Sequence, residues 1–446
     1  MSLMSDVPHF GNDFLWGVST ASYQIEGAVD ADGRGRSIWD EFSHTPGRTL
    51  GGDTGDAACE HYRRYGDDVA LMADLGVDAY RFSIAWPRIQ PDGVDVETRG
   101  LDFYDRLVDT LLDHGIEPSA TLFHWDSPLA LEAAGGWQNR AITDAFAEYA
   151  HVVGERLADR VTRWFTLNET VVFTLLGHGI GVHAPGKELG FDAMQVAWHQ
   201  LLAHGKAVQA LRAAGATLVG PANNHTQVRP VDDSPETLDA AALFDLVYNR
   251  AFLDPILTGT WPLLGIVDPV AEDGDLAIIS EPIDFLGINS YNPQYIAAAP
   301  PGSAVPFDMV TPEGLEYNDF GWPIIPDGFR QMLVEMQERY GDALPPILIT
   351  ENGGAFNEEP DAAGRVRDQR RIDYTAAHLT ALREAMDAGV DVRGYFHWSF
   401  MDNFEWAEGY SQRFGLTYVD YATQERIPKD SFHWYRQMIA AQKGRR

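Results

Sequence analysis

The chain is 446 residues long and carries 33 basic against 66 acidic residues, a net charge of −33. A negative surplus of that size repels phosphate backbones and anionic lipid, which argues against nucleic acid and membrane surfaces as partners and disfavours a polyanionic substrate. No apolar run approaches the ~20 residues that span a bilayer, and the first ten residues have neither the basic start nor the apolar stretch of a signal peptide. With a single cysteine, Cys59, no internal disulfide can form. A cytoplasmic protein is expected, with residues 1–8 as a flexible tail on one domain covering 1–446.

In chain order, short β-prone runs lie at 14–19, 79–84, 117–123, 161–167, 217–223, 284–288, 347–350 and 392–398. Amphipathic stretches with apolar residues three and four apart follow them, at 57–75, 101–114, 141–158, 191–214, 236–252, 329–340, 368–388 and 430–441. Val69, Met72 and Ala73 form one such face, and Phe146, Tyr149, Ala150 and Val153 another. Cys59 falls in the first stretch and reads as a small buried filler on a helix. Strand–helix alternation implies a parallel sheet, and eight units closing on themselves make an α/β fold of the (β/α)8, or TIM, barrel type. A doubly wound open sheet is the alternative, but no Gly-rich turn joins a strand to a helix. Four connections, 30–56, 175–190, 291–326 and 401–420, show little strand or helix pattern. All follow strand ends, the face on which barrel enzymes build their pockets. Residues 297–306 within them read as a plain surface loop.

Two strands end abruptly in a carboxylate beside an amide: Phe165-Thr166-Leu167-Asn168-Glu169 and Ile347-Leu348-Ile349-Thr350-Glu351-Asn352. A charged side chain closing a buried strand is costly to desolvate. Two such ends point to carboxylates converging on one site, the minimal equipment for cleaving a glycosidic bond. Either Glu alone could equally cap a helix or join an ion pair. The other strand ends supply Gln24, Arg81, His124, Trp125, Asn223, Asn224, Asn289, Tyr291, Trp398, Glu405 and Trp406. Taken singly, each has an ordinary structural explanation. Together, amides and carboxylates that hydrogen-bond hydroxyls and aromatics that cover C–H faces suit a neutral sugar.

Along nearly its whole length the chain resembles glycoside hydrolase family 1, the β-glucosidase family. The resemblance rests on Tyr23-Gln24-Ile25-Glu26-Gly27, Tyr80-Arg81-Phe82-Ser83, His124-Trp125-Asp126, Thr166-Leu167-Asn168-Glu169, Ile349-Thr350-Glu351-Asn352-Gly353, Asp402-Asn403-Phe404-Glu405-Trp406 and Arg413-Phe414-Gly415-Leu416. It implies Glu351 as nucleophile and Glu169 as acid/base. Gln24, His124, Asn168, Glu405 and Trp406 are then ligands of the sugar hydroxyls. Trp398 is the platform beneath the ring, Arg81, Asn289 and Tyr291 surround the nucleophile, and Trp322 lines the aglycone side. Trp125 and Phe414 join the substrate-binding set. The sequence departs from the family pattern at Ser127, Thr170, His178 and His397, where Leu, Pro, Tyr and an aliphatic residue are usual; these departures bear on the leaving group more than on the reaction.

The resemblance implies a retaining β-glucosidase acting by double displacement on neutral β-glucosides or cello-oligosaccharides, without cofactor or metal, and leaves self-association into a homo-oligomer open. Retention requires carboxyl groups about 5–5.5 Å apart. Arg81 is expected to hold Glu351 charged, and burial together with the Glu351 charge to keep Glu169 protonated. β-Galactoside or β-fucoside specificity and transglycosylation are the alternatives on the same site. A phosphorylated sugar is disfavoured by the acid at 405, where the family's phospho-sugar enzymes have Ser. A metal hydrolase is disfavoured because His183, His199 and His204 are scattered. A non-catalytic sugar-binding barrel is disfavoured because both Glu are present.

Overall fold

Each apolar run becomes a strand: β1 (Leu15–Ser19), β2 (Ala79–Ser83), β3 (Glu117–Phe123), β4 (Arg163–Asn168), β5 (Leu218–Asn224), β6 (Leu286–Asn289), β7 (Ile347–Asn352) and β8 (Val392–Trp398). In the computed structural model, which describes residues 7–444, these strands pair in the order β1–β8–β7–β6–β5–β4–β3–β2 and close into a barrel. Every pairing is parallel. The closed barrel is the expected fold, and the open sheet is set aside. Of the expected tail, positions 1–6 lie outside the described residues. Val7 is buried in the core, and the Pro8 carbonyl accepts from Gln442 Nε2 at 2.9 Å.

The helices on the outside are α1 (His61–Leu75), α2 (Thr98–Asp113), α3 (Ile142–Leu157), α4 (Met194–Ala213), α5 (Pro235–Asp245), α6 (Pro326–Tyr340), α7 (Gln369–Asp387) and α8 (Asp430–Lys443). Their buried faces follow from the helical period. Val69 and Met72 of α1, and Phe146, Tyr149, Ala150 and Val153 of α3, are fully buried, with Ala73 at the rim. Burying one large apolar side chain of this kind stabilises the fold by roughly 1.5–3 kcal/mol. Cys59 is buried, but in a turn before α1 and not on a helix. Glu60, with φ 50°, breaks the helical path there.

Four regions depart from the sequence expectation. The stretch 236–252 is not one helix: α5 passes into a π-helical turn, Leu246–Arg250, and then Ala251–Thr258. The widened turn is held by Asn249, whose side chain pairs with both backbone groups of Thr226, and by Tyr248, which donates to Asn224 Oδ1 at 3.0 Å. Residues 291–326 contain strands Gln294–Ala298 and Phe307–Val310, which with Val228–Pro230 form a three-stranded sheet outside the barrel. The long connections also hold helix Ile38–His44 and strand Thr417–Asp420. Strands of three to five residues are too short to show a clear alternation, so the sequence pattern passes over them.

Register is regular around most of the barrel but slips near the carboxyl ends of β4 and β7. Phe165 pairs with Gly220 and Asn168 with Ala222, so β4 carries one extra residue. Ile349 pairs with Ile288 and Glu351 with Asn289, so β7 does too. Such bulges re-aim side chains next to active sites. Here they fall at the two strands that end in Glu169 and Glu351.

Candidate active site

The strand ends and their long connections enclose a pocket of about 370 Å³. Ten of the expected residues line it: His124, Trp125, Glu169, Tyr291, Trp322, Glu351, Trp398, Glu405, Trp406 and Phe414. The other four, Gln24, Arg81, Asn168 and Asn289, are buried and hydrogen-bond to lining residues. None of the four departures from the family pattern, Ser127, Thr170, His178 and His397, lines this wall. Ser127 instead accepts from Trp137 Nε1, and His178 sits on a π-helical turn, Phe173–Gly179.

The polar floor is one chain of hydrogen bonds. Arg81 donates from Nη1 to Glu351 Oε1 at 2.7 Å and from Nη2 to Asn168 Oδ1 at 2.6 Å. Tyr291 donates its hydroxyl to Glu351 Oε2 at 2.6 Å. Asn289 Nδ2 donates to Asn168 Oδ1 at 3.0 Å and to Glu169 Oε1 at 2.9 Å. Its own oxygen accepts from Thr350 Oγ1 at 2.6 Å.

Because Asn168 Oδ1 accepts twice, its Nδ2 must be the donor in the 3.0 Å contact with His124 Nε2. Burial, then Arg81, hold the imidazole well below its usual range, so His124 is neutral with its proton on Nδ1. That N–H is buried without a partner, as is Gln24 Oε1. Gln24 Nε2 is occupied by Asn403 Oδ1 at 3.1 Å and Phe404 O at 2.9 Å. One donor and one acceptor are therefore left for a hydroxyl-bearing ligand; an unmet buried polar group costs about 1–3 kcal/mol.

The three carboxylates have unlike surroundings. Glu169 is pushed up to about 8 by burial and then by the Glu351 charge. Glu405 is also pushed up to about 8, by burial and then by Glu351 and Glu169. Burial raises Glu351 above the ordinary carboxylate range as well, and Arg81 and then Tyr291 pull it back. Arg81 thus counters the loss of solvent without cancelling it. Glu351 has a guanidinium on one oxygen and a phenol on the other; Glu169 has two amides; Glu405 has the Gln24 amide at 3.5 Å. Of the three, Glu351 is best furnished to stay ionised.

Both amides on Glu169, Asn289 Nδ2 and Asn224 Nδ2 at 2.9 Å, donate to the same oxygen, Oε1. A doubly solvated Oε1 acts as the carbonyl oxygen, which leaves the acidic proton on Oε2. Asn224 was visible at a strand end without an assigned role. Tyr248, which orients it, gave no signal, because it falls inside a helical repeat.

Aromatic side chains complete the pocket. Trp125 and Trp406 meet at 4.7 Å between centroids, and His124 stacks on Trp398 at 5.9 Å. Trp322 packs against Phe320, Tyr291 and Phe414, in one cluster with Trp398. Three wall residues, Trp125 (φ 77°), Glu169 (φ 46°) and Trp406 (φ 51°), have left-handed backbones. Among the described residues, no group of three or more His, Cys, Asp or Glu side chains is placed to hold a metal ion, and no helix is long and apolar enough to cross a membrane.

Residues 7–444 match the profile of Glycosyl hydrolase family 1. The chain is 45% identical to beta-glucosidase A of Thermotoga maritima, over 97% of this chain and 98% of that protein. It is 45% identical to a bifunctional beta-D-glucosidase/beta-D-fucosidase of Bifidobacterium breve, again over 97% and 98%. A solved structure of the Thermotoga maritima family 1 β-glucosidase with isofagomine lactam superposes with a TM-score of 0.93 at 44% identity, covering 98% of this chain and 99% of that one.

Proposed function

Since the chain belongs to glycosyl hydrolase family 1, we propose that it is a retaining β-glucosidase in which Glu351 is the nucleophile and Glu169 the acid/base. One observation supports this assignment above others: two carboxyl groups on bulged strand ends share a pocket but have unlike partners, guanidinium and phenol for one and two amides for the other.

Ionised Glu351 attacks the anomeric carbon; the C–O bond to the leaving group breaks, and its oxygen takes the proton from Glu169 Oε2. As Glu351 becomes an ester it loses its charge, which removes one cause of the raised Glu169 value and suits Glu169 to its second role. Ionised Glu169 then takes a proton from water, whose oxygen attacks the same carbon from the opposite face as the ester bond breaks and Glu351 departs as a carboxylate. Two inversions give retention. His124 Nδ1–H and Gln24 Oε1 are the first candidates to hold sugar hydroxyls, with Trp398 beneath the ring.

The reading covers neutral β-glucosides, cello-oligosaccharides among them, within one catalytic domain. β-D-Fucosides are the second reading, from the likeness to the bifunctional relative. A cytoplasmic setting belongs to the same proposal, in keeping with the buried free thiol of Cys59.

The test is hydrolysis of p-nitrophenyl β-D-glucoside, with the first-formed sugar followed by NMR. β-Glucose is the expected product, and α-glucose would overturn double displacement. The pH profile of kcat/KM is a second expected result. A group raised to about 8 stays protonated, and so able to act as an acid, below that pH and loses the proton above it. An alkaline limb near pH 8 is therefore expected in the free enzyme. Activity that stays level well beyond that pH removes Glu169 as the acid.

A further inference from the structure

Beside the reactive pocket lies a second, larger space of about 780 Å³. The two share Val172, Leu176, Tyr248, Asn292, Gln294 and Trp322. None of the twenty-four residues lining the second space is charged, in a chain that is 22% charged and has a net charge of −33. Ile180 and Phe191 come from the connection after β4. Phe307, Met309 and Val310 come from the outer three-stranded sheet. Ile180 is 58% exposed and Met309 67%, so apolar surface faces solvent at the mouth. Several of the few polar groups here are already engaged: Asn292 Nδ2 donates to Pro293 O, and Tyr295 OH accepts from Arg229.

The direction of the groove follows from the acid. The leaving group must lie where Glu169 can protonate it. Glu169 is held by Asn224, and Asn224 by Tyr248, one of the residues common to both spaces. A second sugar seated here would lose water from its hydroxyls and find few donors or acceptors in return. An alkyl or terpene-like chain would lose only its apolar hydration.

Resting on the β-glucosidase reading above, we infer that this groove binds the leaving group and selects β-glucosides of long, apolar, uncharged alcohols over cello-oligosaccharides. Residues 297–306, read from sequence as a plain loop, contribute Ala304 and Val305 to its wall. None of Ser127, Thr170, His178 and His397 lines it, so the distinctive leaving-group chemistry lies elsewhere than the departures from the family pattern suggested.

The test is kcat/KM for n-butyl, n-hexyl and n-octyl β-D-glucoside, each below its micelle concentration, beside cellobiose. The three alcohols are equal as leaving groups, so the slope with chain length reports burial alone. A rise of about two- to four-fold per methylene is expected, with the octyl glucoside ahead of cellobiose. Met309→Asp and Ile180→Asp, at exposed positions, should flatten the slope and lower the octyl-to-butyl ratio about ten-fold. A flat series in the parent, or a slope that survives both substitutions, overturns the assignment of the groove while p-nitrophenyl β-D-glucoside is still hydrolysed. Release of glucose from none of these substrates would instead overturn the reading of the reaction itself.

Discussion

Alanine at position 351 is expected to reduce turnover of an aryl β-glucoside by a factor on the order of 10^5, the scale of removing a covalent nucleophile. The loss is chemical more than structural. Arg81 keeps its bond to Asn168, so the floor of the pocket retains its main strut, and a thermal melt should show a folded protein. The space left by the carboxylate admits a small anion next to the Arg81 guanidinium. Added azide should restore release of the phenol: its nitrogen bonds to the anomeric carbon while the aryl oxygen departs with the Glu169 proton. A single displacement inverts the centre, so the product is the α-glucosyl azide, identified by NMR. Undiminished hydrolysis in Glu351→Ala, or a β-azide, would contradict the assignment.

The second large effect is expected at Glu169, and it depends on the leaving group. Alkyl glucosides need a proton at the departing oxygen, and kcat/KM should fall about 10^2- to 10^4-fold in Glu169→Ala, the usual worth of a general acid. A dinitrophenyl glucoside needs no such help, so its first step should be nearly spared. Its second step lacks the base that activates water. The glycosyl-enzyme should then accumulate, visible as a burst of phenol followed by slow release. The share of the alkaline limb that comes from Glu169 should be lost, leaving only what Glu405, raised to the same value, contributes. A uniform loss across leaving groups would assign Glu169 a structural role in place of a proton-transfer one.

Much of this was legible because the signals are expensive ones. A Glu that ends an apolar strand must be desolvated, so Glu169 and Glu351 stand out against Ile347-Leu348-Ile349 and Phe165-Thr166-Leu167. Barrel topology is legible because each helix repeats an apolar residue every three or four positions, as Phe146, Tyr149, Ala150 and Val153 do. What stayed hidden has no local period. The extra residues in β4 and β7 show only when partners are paired. Tyr248 reads as one more helical aromatic, and its role depends on a wide turn fixed by tertiary hydrogen bonds. The outer sheet has strands of three to five residues, too short for an alternation to be read. Tyr248 and the outer sheet bound the leaving-group side, whereas the sugar side is built from strand ends.

The left-handed backbone at Glu169 sets activity against endurance. A residue with a Cβ in that region carries roughly 1–2 kcal/mol of steric cost. Ordinarily glycine is less stabilising than alanine by about 0.5–1 kcal/mol, because it gives up more freedom on folding. At position 169 the order should reverse, and Glu169→Gly should melt above Glu169→Ala, although neither can shuttle a proton. The fold would tolerate the acid's absence more readily than its presence. Selection for thermal robustness alone, with no demand for turnover, would therefore drift toward a glycine at the position where the chemistry requires a carboxyl group.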